Sequence, residues 1–168
     1  MARWRPAAEK SSPYITAEGY KLLEAEYKSI WEKRSKVTTA LAAAAAEGDR
    51  SENAEYIYRK KQLRDIDGRI TYLQKRMPKL TVVREVQDRQ RIFFGAWVTL
   101  EDEAGAEKQH RIVGADEFDQ HEQFITVDSP LANVLLGKQV DDEVYLERNG
   151  TKQVLIITGI NYESNEND

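Results

Sequence analysis

Two long runs of helical periodicity, separated by a short polar segment, constrain the fold of this chain most strongly. In each run, mostly nonpolar side chains recur at alternating spacings of three and four residues, which is typical of a coiled coil. Because the connection is short, the two helices can pair only in an antiparallel hairpin. The first series is Tyr20, Leu23, Tyr27, Ile30, Arg34, Val37, Leu41 and Ala44, and the second is Tyr56, Arg59, Leu63, Ile66, Ile70, Leu73, Met77 and Leu80.

Capping and breaking residues predict the limits of both helices. Thr16 is suited to the N-cap of the first helix, and Gly48 is suited to ending it. The second helix is expected to begin near Ser51 or Glu52, and Pro78 is expected to end or kink it. At 1.5 Å per residue the hairpin should be roughly 40–45 Å long, with its tip far from any domain at its base.

After Pro78 the periodicity changes to two, which predicts strands. Asn149-Gly150 is a strong signal for a two-residue hairpin turn, and Ser129-Pro130 is a favourable start for a short helix. The second module is therefore expected to be a small antiparallel sheet with one short helix. Its predicted strands are Ile92–Leu100, Gln109–Val113, Phe124–Val127, Val144–Glu147 and Gln153–Ile157, and its predicted helix is Leu131–Leu136.

The chain thus divides into modules of opposite charge. Residues 1–80 contain 17 Lys and Arg against 11 Asp and Glu, whereas residues 81–168 contain 8 against 18. A basic half suits nucleic acid or an acidic channel, although ordinary solvated surfaces remain an alternative. The predicted organisation is a flexible arm at 1–13, an antiparallel coiled coil at 14–80 with an acidic tip at 47–55, a sheet domain at 81–160 and a disordered acidic tail at 161–168.

Composition excludes several classes of site. The chain contains no Cys, so disulfides and thiolate zinc sites are excluded, and its two His are too few for a His-rich metal centre. No nonpolar run approaches the ~18 residues of a membrane span. The N-terminus lacks the nonpolar region of a secretory signal, so a cytoplasmic protein is expected.

Four carboxylates crowd the predicted tip, where they are unlikely to build a core. Asp49 and Glu52 are three residues apart across a helix start and could face the same way. Mg²⁺ prefers oxygen ligands and usually takes one or two protein carboxylates, so this pair becomes effective when a partner supplies the remaining ligands. An ion shared in this way could activate water for phosphodiester hydrolysis. The alternative is a capping box, in which Asp49 caps the helix and Glu52 lies at its third position. The four carboxylates belong to Glu47, Asp49, Glu52 and Glu55.

A dense basic patch follows the tip. Its positive charges are suited to holding a phosphate backbone or an RNA end through salt-sensitive contacts. The alternative is a solvated face partly balanced by Asp65 and Asp67. The patch consists of Arg59, Lys60, Lys61 and Arg64.

The second module contains no arrangement of a nucleophile and a base. His110 lies on a predicted strand and His121 in a loop, and each is expected to be structural or a surface residue. The segment Asp128-Ser129-Pro130 can be read as an N-cap followed by proline at the first helical position.

These features resemble the bacterial transcript-cleavage factors of the Gre family, the GreB type more than the GreA type. The resemblance covers about residues 14–160, and the tip motif is highly specific. One departure is Asp141-Asp142, where the family usually has glycine followed by aspartate. The motifs that carry the resemblance are GDRSENAEY at the tip, YRKKQLRDIDGRITYL after it, the strand FFGAWVTL and the stretch VDSPLANVLLGK.

The resemblance implies an α+β fold, with a long antiparallel coiled coil followed by a small FKBP-like sheet domain. It implies a monomer that docks on RNA polymerase and inserts its coiled coil into the secondary channel. There Asp49 and Glu52 would help to hold a catalytic Mg²⁺, and the polymerase itself would cut the backtracked RNA. Arg59, Lys60, Lys61 and Arg64 would lie near the nascent RNA 3′ end. Asp128, Ser129 and Pro130 match a segment implicated in polymerase docking.

On this reading the protein is not an enzyme itself but an activator of cleavage by RNA polymerase. A second hypothesis is a regulator that occupies the secondary channel and modulates or inhibits the polymerase without inducing cleavage. A third is a peptidyl-prolyl isomerase, prompted by the FKBP-like fold alone, although the sequence shows no convincing nonpolar pocket for proline.

Overall fold

The computed structural model describes residues 11–48 and 53–162 of the 168-residue chain. Two long helices precede a sheet domain that contains one short helix, so the predicted α+β fold class is confirmed. In chain order the elements are β1 (Tyr14–Thr16), α1 (Ala17–Ala45), α2 (Ala54–Arg76), β2 (Thr81–Val83), β3 (Trp97–Glu101), β4 (Glu107–Val113), β5 (Phe124–Thr126), α3 (Pro130–Leu135), β6 (Glu143–Arg148) and β7 (Thr151–Asn161). Short 3₁₀ turns lie at Met77–Lys79 and Phe118–Gln120.

The predicted seams of α1 and α2 are the faces that the hairpin buries. Every position of both series is buried or half-buried, including the charged members Arg34 and Arg59. Buried residues in the middle of the seam form a continuous nonpolar cluster, which helps to stabilise the pair. That cluster contains Ile30, Val37, Ile66 and Ile70, with Leu63 packed against it.

Ion pairs between described residues of the two helices accompany this nonpolar cluster. The Nε of Arg34 donates to Oδ1 of Asp67 at 2.6 Å, which explains how a charged residue is tolerated on the seam. Arg69 binds both carboxylate oxygens of Glu26, at 2.6 and 2.9 Å. Paired N–H groups that match two carboxylate oxygens add geometric specificity as well as energy. These contacts therefore help to set the register of α1 against α2.

The main sheet has the strand order β5-β4-β3-β7-β6. Its pairings are antiparallel except for β4 with β5, which is parallel and was not predicted. Asn149 and Gly150 have φ values of 50° and 76° and join β6 to β7, so the predicted hairpin turn is confirmed. The core on one face of this sheet contains Val98, Leu100, Ile112, Val144, Leu146, Leu155 and Ile157, packed with Leu131, Ala132 and Leu135 of α3.

The strand predicted from Ile92 begins five residues later than expected, at Trp97. Ile92 is fully buried but pairs its backbone N–H with the carbonyl of Lys138 instead of a neighbouring strand. Gly95 has a φ of 88° and donates its N–H to the carbonyl of Ile112. The left-handed conformation at Gly95 interrupts the strand predicted from Ile92. The nonpolar pattern of the sequence, from which that strand was predicted, does not show this interruption.

A strand that the sequence did not predict lies at the start of the chain. β1 pairs in parallel with β2, and the carbonyl of Pro13 accepts a hydrogen bond of 2.7 Å from the N–H of Thr81. The contacts between residues divide the chain into two compact units. The first unit is Tyr20–Leu80, and the second unit combines the described residues before Tyr20 with the described residues after Leu80. Pro13, which we assigned to a flexible arm, is therefore bound. Residues 1–10 of that predicted arm lie outside the described residues.

The C-terminal tail is also bound for longer than predicted. β7 continues through Asn161, and the hydroxyl of Tyr162 accepts from the N–H of Phe93 and donates to the carbonyl of Arg91. The prediction of disorder from residue 161 was therefore wrong for these two residues. Residues 163–168 lie outside the described range. Among the described helices, none combines the length and the nonpolar character that a membrane span requires.

Candidate functional site

The tip of the hairpin is shaped by the ends of its two helices. α1 ends at Ala45, and Ala46 and Glu47 continue with hydrogen bonds to carbonyls of its last turn. Gly48 follows with a φ of 133°, a conformation that favours glycine. The chain therefore turns away from α1 at the residue where the sequence predicted its end. Glu47 is exposed at this end of the hairpin.

Asn53 fixes the other side of the tip, and the sequence reasoning missed it. Its Oδ1 accepts from the N–H of Tyr56 at 3.1 Å, which makes Asn53 the N-cap of α2. Its Nδ2 donates to the carbonyl of Ala44 at 2.7 Å, near the C-terminal end of α1. One side chain thus caps one helix and satisfies a carbonyl at the end of the other. The high preference of asparagine for N-cap positions was the available signal.

This N-cap corrects two predictions about the tip. α2 begins at Ala54 and not near Ser51 or Glu52. Because Asn53 occupies the capping position, the alternative in which Asp49 and Glu52 form the capping box of α2 is wrong. The two acids themselves lie outside the described residues.

The remaining acidic residue of the tip is already paired. Glu55 accepts a hydrogen bond of 2.8 Å from Nε of Arg59, one turn along α2. Within residues 11–48 and 53–162, no three acidic or imidazole side chains gather as a metal site. The described acids therefore do not form a cation site by themselves.

The predicted basic patch separates into two parts. Lys60, Lys61 and Arg64 are all exposed, and at 100° per residue they span an arc of roughly 100° on one side of α2. Arg59 is instead half-buried, and along α2 it binds Glu55 and donates to Oε1 of Gln62 at 3.0 Å. We call Lys60, Lys61 and Arg64 the basic face of α2.

The acids expected to balance this face do so only in part. The carboxylate of Asp67 is bound by Arg34 of α1, while Asp65 is exposed. The face also includes Ile57, a nonpolar residue that is 53% exposed. The positive charge of Lys60, Lys61 and Arg64 is therefore less neutralised than the sequence suggested.

The segment Asp128–Pro130, which we call the docking segment, lies at the start of α3. The Oγ of Ser129 accepts from the N–H of Ala132 at 3.2 Å, and Pro130 occupies the first helical position, so the predicted cap is confirmed. Asp128 and Pro130 are exposed. A cavity of about 230 Å³ opens beside Pro130, between nonpolar walls and charged residues such as Lys108 and Arg148.

The two histidines take structural places. His110 is half-buried, and this burial lowers its pKa below the ordinary value despite a hydrogen bond with the backbone of Gln123. His121 accepts from the N–H of Gln123 at 3.1 Å, and its ring packs edge-on against Trp97.

A buried carboxylate joins the start of α1 to the sheet domain. Glu117 has no exposed surface, and its Oε2 accepts from the N–H of Thr16 at 2.9 Å and from its hydroxyl at 3.3 Å. The hydroxyl oxygen of Thr16 in turn accepts from the N–H of Gly19 at 3.0 Å, which confirms Thr16 as the predicted N-cap. Burial raises the pKa of Glu117, and the bonds from Thr16 and the charge of Arg111 only partly oppose this.

Comparison with known families accounts for both modules. The family model described as transcription elongation factor, N-terminal, matches residues 13–82, and the model described as transcription elongation factor, GreA/GreB, C-term, matches residues 87–162. The chain belongs to the GreA/GreB family of transcription elongation factors. The GreA/GreB models thus meet near the end of α2, where the sequence changes from helical to strand periodicity.

Relatives within the GreA/GreB family match nearly the whole chain. Transcription elongation factor GreB of Xanthomonas axonopodis pv. citri (strain 306) is 51% identical over 167 residues, which cover 98% of this chain and 99% of that protein. GreB of Pseudomonas aeruginosa is 48% identical over 164 residues, covering 96% and 98%. Among solved structures, Thermus aquaticus Gfh1 is 23% identical with a TM-score of 0.41, covering 89% of this chain and 98% of that one.

Proposed function

We propose that this protein binds RNA polymerase and stimulates the polymerase's intrinsic cleavage of backtracked nascent RNA, which rescues arrested complexes. The helical hairpin would enter the secondary channel and bring its tip to the polymerase active site. The protein would act as a cytoplasmic monomer and would not be an enzyme in isolation. Its membership of the GreA/GreB family supports this proposal over the whole length of both modules.

The observation that carries the proposal is the N-cap of α2. Capping could have explained two of the four acids, Asp49 and Glu52, but Asn53 performs that task here. The pair Asp49 and Glu52 therefore needs another explanation, and metal binding with a partner is the chemistry that two carboxylates suit best.

The donor set at the tip is consistent with Mg²⁺. Asp49 and Glu52 both offer carboxylate oxygens, and two such ligands leave most of the coordination shell to water and a partner. In this proposal the two residues help to hold Mg²⁺ in the polymerase active site. A bound Mg²⁺ would supply activation of water and stabilisation of charge at the phosphodiester.

The basic face of α2 would contact the RNA. Lys60, Lys61 and Arg64 are exposed and share one side of the helix, as phosphate contacts require. Arg59 is held by Glu55 and Gln62, so we assign it mainly to positioning the first turns of α2. The docking segment, Asp128–Pro130, would bind the polymerase outside the channel.

The experiment uses a backtracked elongation complex with labelled RNA and Mg²⁺. Wild type is compared with Asp49→Ala and Glu52→Ala, and Glu47→Ala serves as a matched control because it removes an exposed acid from the same tip. Binding of each variant to the complex is measured separately. We expect wild type and Glu47→Ala to accelerate cleavage, and the other two variants to bind without accelerating it.

Two outcomes would contradict the proposal. If wild type binds but does not accelerate cleavage, the protein regulates by occupying the channel. If Asp49→Ala and Glu52→Ala both accelerate cleavage as strongly as wild type, the two acids do not help to hold the catalytic Mg²⁺.

A further inference from the structure

The docking segment is held by a residue from the far end of the sequence. Both donors of Ser12 bind the carboxylate of Asp128: the backbone N–H donates to Oδ2 at 2.9 Å, and the hydroxyl donates to Oδ1. The two residues are 116 positions apart. Because Asp128 is exposed, this carboxylate would otherwise sample several rotamers in water.

Ser12 itself is held in place by the residues that follow it. The carbonyl of Pro13 accepts from the N–H of Thr81, and β1 pairs with β2 from Tyr14 onward. The chain also passes close to Gly114, where an added Cβ would lie 1.9 Å from the carbonyl oxygen of Tyr14. The position of Ser12 is therefore determined by the fold, so holding Asp128 requires little additional ordering of Ser12.

The rest of the docking segment is rigid for independent reasons. The hydroxyl of Ser129 caps α3, and the backbone N–H of Ser129 donates to the carbonyl of Thr126 at 3.0 Å. The N–H of Val127 donates to the carbonyl of Val113 at 2.8 Å. The backbone around Asp128 is thus fixed without Ser12, and the orientation of the carboxylate is the variable that Ser12 controls. Each oxygen keeps a further lone pair for a partner.

We propose that Ser12 is a positioning residue for docking on RNA polymerase. It orients the carboxylate of Asp128 toward the polymerase, and the segment Ser12–Thr16 is part of the structure that presents the docking segment. This inference rests on the proposed function, because it assumes that Asp128 contacts the polymerase. It adds a residue to the docking surface that lies outside the Asp128–Pro130 motif.

The test measures the dissociation constant of full-length protein for core RNA polymerase by competition with a fluorescently labelled wild-type chain. The variants are Ser12→Ala, Ser12→Thr, Asp128→Ala and the double variant Ser12→Ala/Asp128→Ala. Ser11→Ala is the matched control, since it makes the same chemical change one residue away. Thermal unfolding of each variant is recorded alongside the binding measurement.

We expect Ser12→Ala to weaken binding by about three- to tenfold, through loss of one of two charge-assisted donors. Ser12→Thr should restore binding because it keeps the hydroxyl, and Ser11→Ala should bind like wild type. In the Asp128→Ala background, Ser12→Ala should cause no further loss. A purely structural role would instead lower the unfolding temperature and weaken binding even without Asp128.

Three results overturn the inference. The first is that Ser12→Ala binds core polymerase as tightly as wild type. The second is that the losses of affinity from Ser12→Ala and Asp128→Ala add in the double variant. The third is that Ser12→Thr binds as weakly as Ser12→Ala. Failure of the proposed function would look different. The wild-type chain would then either not bind core polymerase at all, or bind it without accelerating cleavage in the backtracked complex, and neither result depends on the Ser12 variants.

Discussion

Gly19 and Gly68 both lie in long helices, but the structure predicts that alanine has opposite effects at the two positions. An alanine Cβ at position 19 would lie 2.1 Å from Oε2 of Glu117 and 2.8 Å from its Cδ. At position 68 a Cβ would meet no atom within 4 Å. The substitution at Gly68 should therefore show the intrinsic preference of helices for alanine, and the substitution at Gly19 should show a steric conflict.

The magnitude at Gly19 follows from what must move. The carboxylate of Glu117 has to shift by about 1.3 Å, from 2.1 to 3.4 Å, to reach an ordinary contact distance, and this breaks its bonds to Thr16. Loss of hydrogen bonds to a buried charged group costs about 1.5–3 kcal/mol each. Alanine returns at most about 1 kcal/mol in helix propensity. We expect Gly19→Ala to lower the free energy of unfolding by about 2–4 kcal/mol, whereas Gly68→Ala raises it by about 0.5–1 kcal/mol.

The assay must report on the sheet domain and the helices separately. The chain has three Trp, so replacing Trp4 and Trp31 with Phe leaves Trp97 in β3 as a fluorescent probe of the sheet domain. Urea unfolding of Gly19→Ala is followed by this fluorescence. Unfolding of Gly68→Ala is followed by far-ultraviolet circular dichroism, which reports the helices.

A further variant tests the cause of the loss at position 19. If the clash with Glu117 is responsible, Gly19→Ala should cost little in a Glu117→Ala background, because the obstructing carboxylate is absent. The reasoning is refuted if Gly19→Ala is as stable as wild type, or if its cost is the same with and without Glu117.

Three further predictions concern single side chains. Asn53→Ala should destabilise the hairpin by about 1–2 kcal/mol in thermal or urea unfolding, since it removes the cap of α2. Asn53→Asp should cost less because it keeps the cap, although it loses the donor to Ala44; equal stability of wild type and Asn53→Ala would contradict this. Because the pKa of Glu117 is raised in the folded state, the stability of wild type should fall relative to Glu117→Gln as pH rises from about 4.5 through the folded pKa. Urea titrations at several pH values measure the difference in free energy of unfolding between the two proteins. If this difference does not change with pH, Glu117 has the same pKa in the folded and unfolded states. Asp141 has a φ of 75°, so Asp141→Gly should raise the free energy of unfolding by about 0.5 kcal/mol or leave it unchanged, and a clear loss would show that the side chain has a role of its own.

Periodicity predicted the parts of the fold that depend on repeated burial. The seam positions of α1 and α2 are read directly from the three-four spacing, and the turn at Asn149-Gly150 is specified by two adjacent residues. Thr16 and Ser129 were identified as caps because capping depends on short-range chemistry. These features share one property, which is that the relevant contacts recur or lie close in sequence.

Features that depend on single distant contacts could not be predicted. β1 is three residues long and carries no alternating pattern, and it forms because β2 lies beside it. Glu117 is a charged residue whose burial depends on Thr16, 101 positions away. At the tip, the sequence analysis considered Asp49 as a cap and missed Asn53, because both residue types favour N-caps and local propensity does not decide between them. Asp49 and Glu52 remain predictions, as do the roles of the basic face and the docking segment.

The contacts of Ser12 and Thr16 with the sheet domain have a consequence for the order in which the parts of the protein fold during synthesis. The ion pairs that join α1 and α2 connect residues 33 and 43 positions apart, so the hairpin can close as soon as α2 has been synthesised. Ser12 and Thr16 leave the ribosome early, but their partners Asp128 and Glu117 follow more than 100 residues later. Contacts of such long sequence separation form late and slowly. The segment Ser12–Thr16 is therefore among the last to reach its final place. A nascent chain that extends beyond α2 but ends before Asp128 contains both helices of the hairpin but no complete docking segment.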